Sequence, residues 1–210
     1  MINKFYLGVP FARKDEAKSM GARWDATKKS WYVNEDSENC EKLMQLFPEF
    51  KTVELKGENR NFGGNELYVD LVPSSCWFKN VRTCVEDAEW EKLRKTIYER
   101  VNNVCECCGA KGSLEAHERW SYDDKNRIQK LERLIALCKN CHLSTHMGYA
   151  QTQGLDKQAK QHMQKVTGMS DIELQKHIKE AFVIWKERSE NEYSLDISLI
   201  ENADIKLKSK

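Results

Sequence analysis

The chain has 210 residues, 32% of them charged, a formal net charge of +1 and a mean hydropathy of -0.73. A charge this close to neutral argues against a highly basic nucleic-acid coat protein, so any nucleic-acid contact must come from local basic patches. No apolar run approaches the ~20 residues of a membrane span and the N-terminus lacks the apolar core of a signal peptide, so we expect a cytoplasmic protein.

Residues 1–50 are expected to form a small basic and aromatic α/β module. The patterns predict, in chain order, a strand at Phe5–Val9, a helix at Lys14–Met20 ended by Gly21, a hairpin from Trp24 to Val33 with its turn at Asp25–Lys29, and a helix from Ser37 with Cys40, Leu43, Met44 and Phe47 on one face. Residues 3–33 carry seven basic and three acidic side chains among aromatic ones. This pattern fits phosphate contact with base stacking, and equally a small aromatic core with a solvated basic rim.

The run VPFARKDEAKSMGARWD, from Val9 to Asp25, is followed by KSWYV at positions 29–33. These segments resemble a small bacterial domain of unknown function that is found beside primase-like and other mobile-element DNA-processing proteins. The resemblance implies a DNA context, such as a mobile element or phage defence, and assigns no activity.

Residues 51–66 are expected to form a linker, 67–203 a second domain, and 204–210 a frayed tail. In the second domain the patterns predict a strand at Glu66–Val72, a core-facing helix over 87–102, a helix that starts at the capping box Ser170–Glu173, and a strand at Tyr193–Leu199 that pairs with residues 67–71. We expect His162 and His177 to face solvent.

Four cysteines form two C-x2-C pairs, which are Cys105 with Cys108 and Cys138 with Cys141. Two such pairs present four thiolates to one tetrahedral Zn²⁺, so we predict a structural zinc. This spacing also favours reduced thiols over the disulfides of a secreted scaffold. The other four cysteines are interpreted as ordinary core or surface thiols and are Cys40, Cys76, Cys84 and Cys107.

Between the pairs lie 29 residues, long enough for a hairpin. Leu114–Glu118 predicts a strand that brings His117 to His142 and His146, which are four residues apart and share a helix face. From Arg119 to Lys139 there are six basic and three acidic residues. Asp123 and Asp124 are interpreted as caps of the turn before the next helix or as further metal ligands.

The two cysteine pairs, LEAHE at 114–118 and LIALCKNCH at 134–142 resemble the HNH branch of the ββα-metal (His-Me finger) nucleases. The resemblance implies an α+β fold with a zinc-stapled ββα-metal domain flanked by helices. It implies a structural zinc on the four cysteines and a second ion, Mg²⁺, Mn²⁺ or another zinc, on His117, His142 and His146. Glu118 stands where that family has the water-activating histidine, and Arg133 where it has an asparagine. We therefore expect Glu118 to act as general base and Arg133 to hold a phosphate.

Three functions fit these patterns. The first is a metal-dependent endonuclease in which His117, Glu118 and Arg133 take part in DNA cleavage. The second is a non-catalytic zinc module that binds nucleic acid. The third is a protein-interaction scaffold, which the near-zero net charge permits.

Overall fold

The computed structural model describes residues 2–9, 13–28, 30–49, 53–78 and 80–208. As predicted, the architecture mixes helices with small sheets, and the described residues form two sheets of three strands each. The chain divides into two compact units, which are Met1–Val53 with Glu86–Thr96, and Glu54–Val85 with Ile97–Lys210.

The first unit contains a sheet of order β1-β3-β2 and two short helices. Its elements are β1 (Lys4–Leu7), α1 (Lys14–Ser19), β2 (Arg23–Asp25), β3 (Ser30–Asn34) and α2 (Cys40–Leu46). The predicted hairpin is confirmed, because β2 and β3 pair antiparallel with Trp24 opposite Trp31. Of its predicted turn, Lys29 lies outside the described residues.

The core of the first unit is apolar and small. Trp31 packs against this core, whereas Trp24 is 53% exposed. The unit therefore has a small apolar core and, at Trp24, an exposed aromatic ring. Asp25 organises the hairpin turn, since its Oδ1 accepts the N–H groups of Thr27 at 2.9 Å and Lys28 at 3.0 Å. The backbone hydrogen bond from Lys28 is the main reason that the pKa of Asp25 falls to about 2.

The second unit is built on a long hairpin followed by helices. Its elements are α3 (Val81–Cys84), β4 (Leu114–Asp123), β5 (Ile128–Cys138), α5 (Lys139–Thr145), α6 (Met147–Thr152), α7 (Asp156–Thr167), α8 (Asp171–Ser189), β6 (Ser194–Asp196) and α9 (Ser198–Glu201). The predicted helix over 87–102 is α4 (Asp87–Glu99), whose residues are divided between the two units. None of the helices in the described ranges is long and apolar enough to cross a membrane.

The predicted hairpin and the helix after it are confirmed. β4 and β5 pair antiparallel from Leu114 opposite Cys138 to Asp123 opposite Ile128, with an irregular register between Arg119 and Trp120. The turn is capped by Asp123, whose Oδ1 accepts the N–H groups of Lys125 and Asn126. Asp123 therefore caps a turn, as interpreted, but this turn connects two strands and does not precede a helix. Asp124 instead accepts hydrogen bonds from Arg188 and Tyr193.

The strand predicted at Glu66–Val72 does not form, and its predicted pairing with residues 193–199 is wrong. The N–H of Val69 donates to His177 Nε2 at 2.9 Å and that of Asp70 to the Thr145 carbonyl at 3.0 Å. These bonds take backbone groups that a sheet partner would need. β6 pairs instead with β5, in parallel, with Ser194 opposite Ile128.

Residues 56–65, within the predicted linker 51–66, pack against the hairpin and do not form a free connection. The Glu58 carboxylate accepts hydrogen bonds from Arg100 at 2.6 Å and from the Leu134 N–H at 2.9 Å. The Asn59 N–H donates to the Glu132 carbonyl at 2.9 Å. Lys51 and Thr52 lie outside the described residues.

Two further predictions concern the residues from Ser170 to the C-terminal tail. The capping box is confirmed, since Ser170 Oγ accepts the Glu173 N–H at 3.3 Å and the Glu173 carboxylate accepts the Ser170 N–H at 2.8 Å. The tail predicted to fray bridges back to the chain, because the Lys208 N–H donates to the Cys84 carbonyl at 2.8 Å. Ser209 and Lys210 lie outside the described residues.

Candidate metal centres

The four predicted cysteines converge where the hairpin meets α5. Their sulfur atoms all lie within 4.8 Å of one another, and the thiols of Cys108 and Cys138 are 3.6 Å apart. In a regular tetrahedron with Zn–S bonds of ~2.3 Å, sulfur atoms are roughly 3.8 Å apart. The cluster therefore has the dimensions and donor set to bind a metal ion such as zinc.

The local fold supports this cluster. The Cys105 N–H donates to the Ala110 carbonyl at 2.9 Å and the Gly109 N–H to the Cys105 carbonyl at 3.0 Å, which closes the first turn. Gly109 has a φ of +72° there, a conformation that glycine adopts without strain. A hydrogen bond from the Cys141 thiol is the main cause that lowers the pKa of Cys105 to about 4.

The other cysteines lie outside this cluster, as expected. Cys107, although it is next to Cys108, places its Sγ 3.5 Å from the Glu66 carbonyl. Burial raises the pKa of Cys107 to about 12, so its thiol stays neutral.

His162 lies against the cysteine cluster, and the expectation that it faces solvent is wrong. Its Nε2 is 3.2 Å from Cys141 Sγ. His177 is also engaged, because its Nε2 accepts the Val69 N–H. The sequence carried no signal for these contacts, since α7 and α8 bring the two histidines to their partners only through tertiary packing.

A second cluster consists of His117 on β4, His142 on α5 and His146 at the end of α5. One nitrogen atom from each lies within 4.8 Å of the others. The Nε2 atoms of His142 and His146 are 3.1 Å apart. Two imidazoles on one ion with Zn–N bonds of ~2.0–2.1 Å place their nitrogens roughly 3.3 Å apart, so the spacing suits a shared ion.

Two carboxylates that the sequence reasoning missed contact these rings. Glu115 Oε2 lies 2.5 Å from His142 Nδ1, and Asp70 Oδ2 lies 3.5 Å from His117 Nε2. A carboxylate in the position of Glu115 can hold a ligating imidazole in one tautomer and orientation, whereas Asp70 is near His117 Nε2 without a hydrogen bond to it. A signal for Glu115 existed, because residues two apart on a strand share a face and Glu115 precedes His117 by two.

Burial favours the neutral form of His142 and His146. Burial lowers the pKa of His142 below its ordinary value, and Glu115 opposes this shift. Burial also lowers the pKa of His146 well below its ordinary value, and the neighbouring imidazoles add to the effect. The neutral imidazole is the form that binds metal ions, so both side chains fit a metal site.

Glu118 lies beside the cluster but also has a structural contact. Its Oε1 accepts the Val81 N–H at 2.7 Å, at the start of α3. Burial raises the pKa of Glu118 above its ordinary value, against the opposing effect of that hydrogen bond. The sequence alone suggested a weakly basic carboxylate, and the buried position makes it a better proton acceptor.

Arg133 is not available to a phosphate, so its predicted contact with substrate is corrected. Its side chain is 1% exposed and donates to Glu106 Oε1 at 2.7 Å, to the Gly64 carbonyl at 3.1 Å and to the Arg60 carbonyl. Glu106 Oε2 in turn accepts the Ala136 N–H at 2.7 Å. Arg133 therefore ties the loop before residue 66 to the hairpin.

Two cavities open at the histidine cluster, and His146 and Tyr149 line both. The larger has a volume of about 740 Å³ and is lined by Asp70, Leu71, Val72, Cys76, Trp77, Asn80, Glu118, Trp120, His146, Gly148, Tyr149, Gln151, Thr152, Phe182 and Trp185. The smaller has a volume of about 650 Å³ and is lined by Glu115, Lys139, Asn140, His142, Leu143, His146, Tyr149, Leu155 and Gln158. The histidines can thus be reached from two sides.

Known proteins match short parts of this chain. A family described as a domain of unknown function (DUF5710) matches residues 4–48, which confirms the predicted resemblance of this region. Two Escherichia coli proteins named DNA primase TraC are 64% and 61% identical to this chain over 28 residues. That stretch is 13% of this chain and only 2% and 3% of theirs. No solved structure matches the chain. Both metal-binding clusters lie outside the matched family region.

Proposed function

We propose that this chain is a divalent-metal-dependent phosphodiesterase of the HNH-like type that cleaves nucleic acid, DNA in the first instance. The observation that carries the proposal is the convergence of His117, His142 and His146 on a hairpin followed by a helix. Beside it, the four cysteines would hold a zinc that staples the hairpin to α5. This pairing of a closed thiolate site with an open imidazole site suits one structural and one catalytic ion.

The division of labour follows from the contacts. His117, His142 and His146 would hold the second ion, and Glu115 would orient the ring of His142. When bound, such an ion polarises a scissile phosphate and stabilises the charge that develops on it. Glu118 lines the cavity that contains His146, and its carboxylate would orient or deprotonate the attacking water.

The basic surface between the cysteine pairs is smaller than its composition suggests. Arg119 is 0% exposed and Arg133 is 1% exposed, so neither side chain can contact the phosphate backbone of a nucleic acid. Lys139 lines the smaller cavity beside His142 and is placed to contact a phosphate bound at the histidines. The likeness of a 28-residue stretch of this chain to proteins named DNA primase supports DNA as the substrate.

A non-catalytic zinc module that binds nucleic acid is the second candidate. It is favoured by the structural roles of the two residues that depart from the HNH pattern. Glu118 Oε1 accepts a hydrogen bond from the Val81 N–H, and Arg133 donates hydrogen bonds to groups inside the protein. In that case the three histidines would hold an ion without performing chemistry. A protein-interaction scaffold would need only the cysteines, so nothing in the histidine cluster supports it.

The test is nicking of supercoiled plasmid by the zinc-loaded full chain with added Mg²⁺ or Mn²⁺, beside His117→Ala. The proposal expects nicking that requires the added ion and is lost in the variant. Gln175→Ala, an exposed change on α8, is the control and should nick like the wild type. Folded wild-type protein that shifts DNA in a gel without cutting it would instead support the binding module.

A further inference from the structure

The larger cavity beside the histidine cluster has aromatic walls. Its rings are contributed by Trp77, Trp120, Tyr149, Phe182 and Trp185. Trp120 is nearly buried, whereas Trp77 and Tyr149 are 58% and 60% exposed. Large aromatic rings that border a cavity and are not buried in the hydrophobic core are typical of a binding site.

Two of these rings are fixed in place by the same acceptor. The indole N–H groups of Trp77 and Trp185 both donate to the Val72 carbonyl, at 2.8 Å and 3.1 Å. Each indole therefore has its polar atom satisfied while its ring borders the cavity. Rings held in this way lose little conformational entropy when a ligand stacks on them.

The polar groups of the cavity are acids and amides. Asp70, Glu118 and Gln151 belong to its lining, and among the described residues no lysine or arginine does. Such groups hydrogen-bond to the edges of nucleobases, and carboxylates accept from exocyclic amino groups. The carboxylates of Asp70 and Glu118, when ionised, would repel a phosphate. The cavity therefore suits the base of a nucleotide, and the backbone phosphate belongs outside it.

The position of His146 joins the cavity to the proposed reaction. This side chain belongs both to the imidazole cluster and to the cavity wall. A phosphate held at the cluster would place an adjoining base at the cavity, whose volume of about 740 Å³ falls in the usual range for ligand sites. A duplex would first have to unpair and extrude that base, at a cost that a single strand does not bear.

We infer that the site acts on single-stranded nucleic acid and holds one unstacked base between Trp77 and Tyr149, next to the scissile phosphate. This inference rests on the proposed function and adds its substrate class. Stacking of one base on aromatic side chains, as lost on alanine substitution, corresponds to roughly tenfold to hundredfold in affinity.

The test measures binding of the zinc-loaded full chain, by fluorescence anisotropy, to three labelled probes of about 12 nucleotides. These are a single strand, the same sequence as a duplex, and a strand of abasic sites. The single strand should bind at least about tenfold more tightly than either other probe. The double variant Trp77→Ala/Tyr149→Ala should lose about tenfold to hundredfold for the single strand and nothing for the abasic strand.

Two controls separate stacking from general damage. Trp77→Phe/Tyr149→Phe keeps both rings and should bind the single strand like the wild type. Ile172→Ala removes an 81% exposed side chain that does not line the cavity, and should also change nothing. Equal affinity for duplex and single strand, or full affinity in the double alanine variant, would overturn the inference. The inference would also be overturned if an apolar peptide competed with the single strand and the abasic probe bound as tightly as the single strand.

The binding and cleavage experiments distinguish a failure of the base pocket from a failure of the proposed function. Base-dependent single-strand binding without cleavage of any strand refutes the phosphodiesterase and leaves the cavity as a binding site. Metal-dependent nicking that is unchanged in Trp77→Ala/Tyr149→Ala supports the phosphodiesterase and refutes the base pocket.

Discussion

The Nε2 atoms of His142 and His146 lie 3.1 Å apart, while Nδ1 of His142 lies 2.5 Å from Glu115 Oε2. The carboxylate favours a proton on Nδ1, so the Nε2 lone pair of His142 points towards His146. A lone pair in that position accepts a proton from the second imidazole or shares an ion with it. The relationship gives the histidine cluster a ring spacing and a carboxylate contact that would suit a metal site.

The adjacent cysteines Cys107 and Cys108 should differ sharply in their effect on zinc content. Cys108→Ser removes one of four converging thiols, and the second unit should then lose zinc and unfold, because binding to such sites is worth ~10–16 kcal/mol. Cys107→Ser changes a thiol outside the cluster and should retain a full equivalent of zinc. Metal analysis and thermal melting of both proteins check this. Zinc retained with an unchanged melting curve in Cys108→Ser would refute the four-cysteine assignment.

His162 should strengthen the cysteine site through its contact with Cys141 Sγ. A hydrogen bond from a ring N–H to a thiolate holds the ligand in place, so His162→Ala should weaken zinc affinity by about tenfold to hundredfold. Competition with a chelator measures this change. His177→Ala is the control, since its contact is with the Val69 N–H and not with a cysteine. Equal zinc affinities for the wild type and His162→Ala would contradict the role.

Arg133 should contribute to stability and not to phosphate binding. Arg133→Ala leaves Glu106 buried without its cationic partner, which costs about 3–5 kcal/mol in the free energy of unfolding. Lys130→Ala removes a 48% exposed partner of Glu132 and should cost less than about 1 kcal/mol. Urea unfolding of both variants tests the contrast. A stable Arg133→Ala protein with weakened nucleic-acid binding would restore the phosphate role.

Glu118 should be needed for cleavage in addition to its structural contact with α3. Glu118→Gln keeps one oxygen that can accept the Val81 N–H, so the protein should still fold, as thermal melting would check, while the nicking rate should fall about 10²–10⁴-fold. Glu180→Gln, an exposed change on α8, serves as control and should nick normally. If Glu118→Gln cut plasmid at the wild-type rate, the carboxylate would be only a structural cap.

Local chemistry explains why much of the fold could be predicted from sequence. The hairpin at Trp24–Val33, the helix at 87–99 and the capping box at Ser170 each follow from residues close in the chain. Within the two clusters, only the C-x2-C turns and the two histidines four apart are local, and the pairing of β4 with β5 brings their distant members together.

The errors arose where partners are distant in sequence. The segment 66–72 has a strand-like alternation, but its N–H groups bond to Thr145 and His177. Arg133 looked like a phosphate contact until the fold placed Glu106 against it. His162 reached Cys141 for the same reason, since no local pattern encodes the packing of α7 on the cysteine site.

A Mn²⁺ titration of wild type and His146→Ala, with bound ions and cleavage of plasmid and single-stranded DNA measured on the same samples, tests whether the histidine cluster holds the ion that drives cleavage. Wild-type cleavage should rise with one ion beyond the cysteine-bound zinc, and His146→Ala should keep the zinc but neither bind the second ion nor cleave. A wild-type protein that takes up the second ion and leaves both DNAs intact, or a His146→Ala protein that still cleaves, would contradict the proposed function.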